Sequence, residues 1–239
     1  MKQFALGDPH GGYKAMLQVF ERSGFNKKED ELIVLGDVCD GWPQVKECFD
    51  LLVECKHLQY VMGNHDYWAY EWYNTRLGYG VPEIMWISQG GQATIDSYGG
   101  ITGHMPEEHL KILENAHIGI EQVRNGKKQI FVHGGIDPQK KFEKQDPQNV
   151  MWDRELIQNA RLKHNSKPNY KYGGYDDIFV GHTTTMWFNK DTLPMHKCNV
   201  RNLDTGGGWG GVLTIMDTET KEYWQSDRVK TLYPEERGR

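Results

Sequence analysis

Residues 3–11, Gln3-Phe4-Ala5-Leu6-Gly7-Asp8-Pro9-His10-Gly11, place a short apolar run directly before an acidic and an imidazole side chain. The same order recurs four times: each of four further strand-like runs also ends at a polar motif. These later motifs are Gly36-Asp37-Val38-Cys39-Asp40, Gly63-Asn64-His65-Asp66, His133-Gly134-Gly135 and Gly181-His182-Thr183. Ligands of open α/β sheets bind beyond the carboxyl ends of the strands. We therefore expect the five motifs to meet at one edge of the fold.

The segments between the motifs alternate between strand-like and helix-like patterns. Apolar residues recur at helical spacing over residues 13–23 and 45–55, whereas residues 31–35 and 58–62 are typical of buried strands. This alternation predicts a parallel sheet covered on both faces. The other predicted elements are short strands at 85–87 and 92–95, a helix over 106–116, strands at 129–132, 177–180 and 200–203, and a hairpin of 211–216 with 222–224.

Bulk composition predicts a soluble globular protein with one domain, residues 1–239. The formal net charge is −5, 38% of the residues are hydrophobic, and the mean hydropathy is −0.72. No apolar run approaches the ~20 residues of a membrane span, and no leader peptide is expected before the first motif. The acidic balance weighs against a nucleic-acid partner. Four cysteines without paired spacing indicate reduced thiols and a cytoplasmic location, that of the host if the chain is phage-encoded.

The motifs contain a set of oxygen and imidazole donors that suits metal ions. The candidate ligands are Asp8, His10, Asp37, Asn64, His133 and His182. Such donors without thiolate favour two divalent cations, Mn²⁺ first, with Fe or Zn²⁺ as alternatives. Cations at ~3.5–4 Å need a bridging carboxylate, and Asp37 is the natural bridge. Any one of these residues alone is more commonly a cap or a satisfied polar group, but the ordered set is an improbable coincidence.

The ordered motifs resemble the calcineurin-like metallophosphoesterases, and within them the PPP-type serine/threonine phosphatases of bacteriophage and bacteria. The resemblance runs from Asp8 to about Leu213. It implies an α/β (α+β) fold, a four-layered sandwich of two central mixed sheets flanked by helices. It also implies a binuclear centre with one ion on Asp8, His10 and Asp37, and the other on Asp37, Asn64, His133 and His182.

The expected reaction is hydrolysis of a phosphoester by a water that two ions activate, since the ions lower its pKa and bind the phosphoryl oxygens. His65 follows Asn64 and is the candidate general acid for the leaving alkoxide. The resemblance assigns Asp40 as the carboxylate that orients His65, with a turn or cap role as the alternative. Asp66 is a weaker candidate that would support the site from behind.

One residue departs from the family pattern. The family motif continues Asp-Arg-Gly, where the arginine binds phosphate, but this chain has Asp40-Gly41-Trp42. Arg154 resembles the second phosphate-binding arginine, and an ordinary surface position on a helix is an equal alternative. Another positively charged side chain could replace the absent arginine, and the sequence does not choose among Lys14, Arg76 and Arg228.

Two further segments have more than one interpretation. The aromatic residues between Tyr67 and Tyr79 are expected to pack a core, with base stacking as the alternative. Asp204-Thr205-Gly206 resembles a segment found near the end of the family's sequences, and it is expected to form a tight turn beside the site.

Three functions are weighed. The leading hypothesis is a phosphomonoesterase acting on phosphoserine and phosphothreonine, in a phosphoprotein or a small phosphoester. The alternative is a phosphodiesterase or nucleotide hydrolase, acting on dinucleoside polyphosphates or 2′,3′-cyclic phosphates, because a diester loses less from the absent arginine. A non-catalytic, metal-stabilised scaffold is least favoured, since all six ligands and His65 are present.

Overall fold

The computed structural model describes residues 1–74, 84–189 and 191–239. Within these ranges the strands, in chain order, are β1 (Gln3–Leu6), β2 (Glu31–Val34), β3 (His57–Tyr60), β4 (Gly119–Arg124), β5 (Lys127–Val132), β6 (Asp177–Val180), β7 (Met195–Lys197), β8 (Val200–Asn202), β9 (Thr214–Asp217) and β10 (Tyr223–Gln225). The α-helices are α1 (Tyr13–Ser23), α2 (Val45–Val53), α3 (Asn64–Asn74), α4 (Ile84–Trp86), α5 (Gln92–Ser97), α6 (Glu107–Glu114), α7 (Pro147–Trp152), α8 (Glu155–His164), α9 (Met186–Asn189) and α10 (Val229–Leu232). A π-helical turn, Ile87–Gly91, joins α4 to α5, and 3₁₀ turns occupy Phe142–Lys144 and Gly207–Trp209.

The described strands form two mixed sheets. The first has the order β10-β9-β1-β2-β3 and the second the order β4-β5-β6-β8-β7. In the first sheet β1, β2 and β3 are parallel, as the alternating pattern predicts, while β9 and β10 form the predicted antiparallel hairpin. In the second sheet β5, β6 and β8 are parallel, and β4 and β7 pair antiparallel at its edges.

Alternation along the strands explains why the sheets pack as layers. In β1, Phe4 and Leu6 face the helices α1 and α2, whereas Ala5 faces the second sheet. In β5 the same alternation places Phe131 between the sheets, where its ring stacks on Phe179 with centroids 4.6 Å apart. Helix α8 covers the outer face of the second sheet. The result is helix, sheet, sheet and helix, which confirms the predicted sandwich.

The two strands expected near residues 85–87 and 92–95 are wrong. Both segments are helical, lying in α4, the π-helical turn and α5. Residues 91, 94, 95 and 98 are buried, a spacing of three and four that is typical of a helix and that two windows of three or four residues are too short to reveal. The sequence pattern also misses β4 and β7, both edge strands with few buried residues.

Two bulk properties bear on the expected cellular setting. In the described part of the chain, no helix is long and apolar enough to cross a membrane. The cysteines Cys39, Cys48, Cys55 and Cys198 are all free and buried.

Candidate metal centre

The five motifs meet at the carboxyl ends of strands from both sheets. Three of them follow β1, β2 and β3 of the first sheet, and the other two follow β5 and β6 of the second. The loops after β1 and β6 are in close contact, since the Asp8 carboxylate accepts a hydrogen bond from the backbone N–H of His182 (2.7 Å). A Cβ on the neighbouring Gly181 would overlap the same carboxylate. All six candidate ligands are buried at this junction.

The candidate ligands form two groups that share one residue. Asp8, His10 and Asp37 form one group, and Asp37, His133 and His182 form the other, with ligand atoms inside each group within 4.8 Å of one another. Oδ2 of Asp37 lies 3.7 Å from Nε2 of His10 and 3.2 Å from Nε2 of His133. Asp37 therefore lies between the two groups, as a bridging carboxylate would.

Asn64 belongs to the second group. Its Oδ1 lies 3.1 Å from Nε2 of His133, and it begins helix α3 directly after β3. The structure thus brings together all six residues that the sequence selects.

Unpartnered atoms test whether cations suit these groups. Among the described residues, Asp8 Oδ1, Asp37 Oδ2 and both ring nitrogens of His182 are buried without a hydrogen-bond partner. Each such atom costs about 1–3 kcal/mol if it stays unpaired. Although burial disfavours charge on the ring, the Asp37 carboxylate raises the pKa of His133 to about 9, so the site favours positive charge beside this carboxylate. The donor set therefore fits two divalent cations.

Backbone carbonyls orient two of the imidazoles. Nδ1 of His10 donates to the carbonyl of Cys39 at 3.0 Å, and Nδ1 of His133 donates to the carbonyl of Leu35 at 2.7 Å. When the ring is neutral, these bonds keep its proton on Nδ1, so that the lone pair of Nε2 is free for a cation.

The backbone at the site is strained. His10 (φ 47°), Asp37 (φ 51°), Asp40 (φ 72°) and His182 (φ 64°) all adopt positive φ. Each such residue costs about 1–3 kcal/mol and persists only where the surroundings hold it in place.

Asp66 provides part of that support. Its carboxylate accepts backbone N–H bonds from Asp37 (2.7 Å), Val38 (2.9 Å) and Cys39 (3.0 Å). Burial raises the pKa of Asp66 to about 6. Asp66 therefore supports the loop after β2 through backbone hydrogen bonds without belonging to either ligand group, as the sequence suggests.

His65 and Asp40 form a buried pair. Nδ1 of His65 lies 2.6 Å from Oδ2 of Asp40, and the same carboxylate accepts hydrogen bonds from Thr94 Oγ1 (2.6 Å) and Trp86 Nε1 (2.8 Å). Asp40 is thus part of the site and not only a turn residue. Nε2 of His65 is buried without a partner among the described residues.

The protonation of this pair suits an acid. Burial raises the pKa of Asp40 to about 8 and lowers the pKa of His65 to about 3. With Asp40 protonated and His65 neutral, the pair carries two protons: one lies between Nδ1 and Oδ2, whichever residue owns it, and the other is on Nε2. A hydrogen on Nε2 at neutral pH is what proton donation to a leaving group requires.

Arg154 lies beside the ligands, although it directly precedes helix α8. Its Nη1 donates to the carbonyl of His182 (3.0 Å) and to Thr183 Oγ1 (3.1 Å), and its guanidinium lies 5.0 Å from the Trp187 ring centroid. These contacts distinguish it from an ordinary surface position.

Asp204 forms the expected tight turn. Its carboxylate accepts a hydrogen bond from the N–H of Gly206 (2.9 Å), which has φ 84°. Burial and then the charge of Asp204 raise the pKa of Asp8, so this turn lies next to the ligands.

The two suggested replacements for the missing arginine that lie among the described residues, Lys14 and Arg228, do not reach the site. Lys14 is exposed and donates to the carbonyl of Leu232, Arg228 is exposed before α10, and Arg76 lies outside the described residues. Instead, Nη1 of Arg239 lies 3.2 Å from Nε2 of His10. The sequence motifs give no signal for Arg239, because it belongs to none of them.

Aromatic rings line one side of the site. The Trp68 ring meets His65 and Trp152, each at 5.1 Å, and Trp152 meets His182 at 5.9 Å. Trp72 packs instead against the Trp86 ring of the core. The predicted core packing is therefore correct for part of the aromatic segment, while Trp68 reaches the site and residues 75–83 lie outside the described ranges.

Comparisons with known proteins agree with this geometry. A family model described as calcineurin-like phosphoesterase matches residues 1–186. The chain is 27% identical to serine/threonine-protein phosphatase 1 of Salmonella typhimurium, over 89% of each chain. It is 23% identical to a symmetrical bis(5′-nucleosyl)-tetraphosphatase of Neisseria meningitidis, over 94% of this chain and 95% of the other.

The crystal structure of a candidate diadenosine tetraphosphatase has a similar fold. Its TM-score is 0.68 at 16% identity, with 94% of this chain and 92% of the other covered. This likeness shows the shared fold. The sequence motifs, the layered fold and the family model therefore all indicate the same family.

Proposed function

The chain belongs to the calcineurin-like phosphoesterase family, a family of hydrolases acting on phosphoester bonds, and from that premise we propose that it is a phosphomonoesterase for phosphoserine and phosphothreonine. The proposal also places it in the cytoplasm, which the four buried free cysteines support.

The two groups around Asp37 would each hold one divalent cation, and we propose Mn²⁺. One cation would bind Asp8, His10 and Asp37, and the other Asp37, Asn64, His133 and His182. When bound, such ions supply charge that stabilises the developing transition state and lower the pKa of water.

The observation that carries the proposal is the position of His65. Its Nδ1 is held by Asp40, its Nε2 is buried and unpartnered, and its neighbour Asn64 lies in the second ligand group. His65 would donate the Nε2 proton to the leaving serine or threonine alkoxide, with Asp40 as its positioning residue. Arg154 would bind the phosphoryl oxygens as a planar guanidinium does.

The test compares the purified protein with His65→Ala, loaded with Mn²⁺, on p-nitrophenyl phosphate and on a phosphoserine peptide. We expect hydrolysis of both by the native protein, and a loss of roughly 10²- to 10⁴-fold in kcat for the peptide with the variant. His104→Ala removes an exposed histidine and serves as the control. Equal rates for His65→Ala and His104→Ala would contradict the assignment, as would no activity with Mn²⁺, Fe²⁺ or Zn²⁺.

A nucleotide hydrolase is the second candidate. The half-buried Trp68 and exposed Trp152 rings beside the ligands favour it, since aromatic faces can stack on bases. The Neisseria relative is named as a dinucleoside tetraphosphatase. Comparing kcat/KM for diadenosine tetraphosphate with that for the phosphopeptide separates the two functions, and a preference for the nucleotide would select the second.

A further inference from the structure

We propose that Arg239 is the second phosphate-binding arginine of this site, in place of the arginine that the family carries where this chain has Gly41. The inference rests on the proposed phosphoesterase function and names a further substrate-binding residue for it. Arg239 lies outside residues 1–186, the part that the family model matches. It lies in residues 233–239, which follow helix α10.

The segment around Arg239 is docked against the centre by several contacts. Its backbone N–H donates to the carbonyl of Gly208 at 2.9 Å, and its guanidinium lies 5.1 Å from the Trp209 ring centroid. Nη2 donates to Gln89 Oε1 at 3.3 Å. These contacts fix the Arg239 side chain so that it extends from the surface towards the ligands.

The guanidinium group of Arg239 lies beside the candidate metal ligands. Nη1 lies 3.2 Å from Nε2 of His10, and Nε is buried without a hydrogen-bond partner among the described residues. A buried N–H of a permanent cation is costly to leave unpaired. An anion at this position would satisfy it, and a phosphate has the charge and the acceptor geometry.

Position 41 disfavours a side chain of its own. Gly41 has φ 89°, a region that an arginine adopts only with strain, and a Cβ there would come within 3.3 Å of His10, whereas the backbone nitrogen of Arg239, at 3.7 Å, would be in ordinary contact. Gly41 N–H donates to the carbonyl of Gly90, whose own Cβ would lie 3.4 Å from Cγ of Arg239. The two glycines therefore line the path of the incoming arginine.

Arg239 and Arg154 approach the site from different segments. Arg154 donates to the carbonyl of His182 and Arg239 lies beside His10, so two permanent cations border the same ligand cluster. Like charges at a shared, partly buried site repel unless an anion lies between them. A doubly charged phosphate monoester would relieve this repulsion more than a singly charged diester would.

The experiment measures binding of inorganic phosphate to the full-length, Mn²⁺-loaded protein by calorimetry. Arg239→Gln removes the charge while keeping the backbone contact to Gly208, and we expect phosphate to bind at least roughly tenfold more weakly. Arg239→Lys keeps the charge without the planar fork, so its affinity should lie between the two. Arg237→Gln makes the same charge change at an exposed position of the same segment and should leave the affinity unchanged.

Two further measurements make the result decisive. Manganese content and thermal midpoint of Arg239→Gln should equal those of the native protein, and KM for p-nitrophenyl phosphate should rise more than kcat falls. Unchanged phosphate affinity would overturn the proposal. So would tighter Mn²⁺ binding or faster turnover in Arg239→Gln, because the side chain next to His10 would then be blocking the site.

The phosphate titration also separates this inference from the proposed function. If the native protein hydrolyses no phosphoester but binds phosphate through Arg239, the function fails and the inference stands. If it hydrolyses phosphopeptides and Arg239→Gln binds phosphate normally, the reverse holds.

Discussion

The ligand cluster and the phosphate-binding rim of the site are built in opposite ways. The ligands follow strands, and backbone hydrogen bonds fix their loops; in the loop after β2, three backbone N–H groups donate to Asp66. The rim residues Arg154 and Arg239 come from segments far apart in the chain and are held by a few side-chain contacts. Under the proposed function, the chemistry would belong to the rigid strand ends, and substrate preference would belong to a rim that can change without disturbing them.

The largest expected effect breaks the ligand cluster at its shared residue. Asp37→Asn removes the charge that both groups use, so bound Mn²⁺ should fall from two ions to fewer than one, and kcat should drop by roughly 10³-fold or more. Elemental analysis and a p-nitrophenyl phosphate assay measure both quantities. Chelated native protein is the benchmark, and a variant that keeps both ions and most of its activity would remove Asp37 from the bridging position.

The next effect tests the rigidity of the cluster. Asp66→Asn weakens the acceptor for three backbone N–H groups, so we expect destabilisation of about 3 kcal/mol and a thermal midpoint lower by roughly 6–12 °C. Asp96→Asn, at an exposed carboxylate, should change the midpoint little. If Asp66→Asn unfolds at the native temperature and binds Mn²⁺ normally, the loop does not depend on this residue.

The smallest effect tests the rim. Trp152→Ala removes ring contacts with His182 and Trp68, together worth about 1–2 kcal/mol, so kcat/KM should fall by only about fivefold to thirtyfold. The loss should be equal for a phosphopeptide and for diadenosine tetraphosphate, and Trp152→Phe should restore most of it. A loss confined to the dinucleotide would favour base stacking and thus the nucleotide hydrolase.

The sequence predicts the ligand cluster well because metal chemistry dictates residue types at strand ends. Asp8, Asp37 and His133 are recognisable since each stands beside glycine after an apolar run. The roles of the ligands and of His65, Asp40 and Arg154 stay predictions until the experiments above are done, as does the single domain. Their positions, however, agree with what the motifs require.

The rest could not be predicted for physical reasons. Arg239 is held beside His10 by hydrogen bonds to Gly208 and Gln89 and by its contact with Gly90. These residues are far from it in the sequence, so no local sequence pattern predicts the arrangement. The strands expected at 85–87 and 92–95 fail because burial there has the helical period, set by packing against α2 and α3. Short apolar runs do not distinguish these two outcomes.

The origin of the ligands in both sheets has a mechanical consequence. Asp8, Asp37 and Asn64 extend from one layer and His133 and His182 from the other, so the one cation bound through Asp37 and the two histidines would cross-link the layers. Sliding of one sheet over the other, along the Phe131–Phe179 stack, would then require breaking coordination bonds. Resistance of the fold to shear should therefore rise with the concentration of free cation, by the mass-action term for any species that binds only the native state.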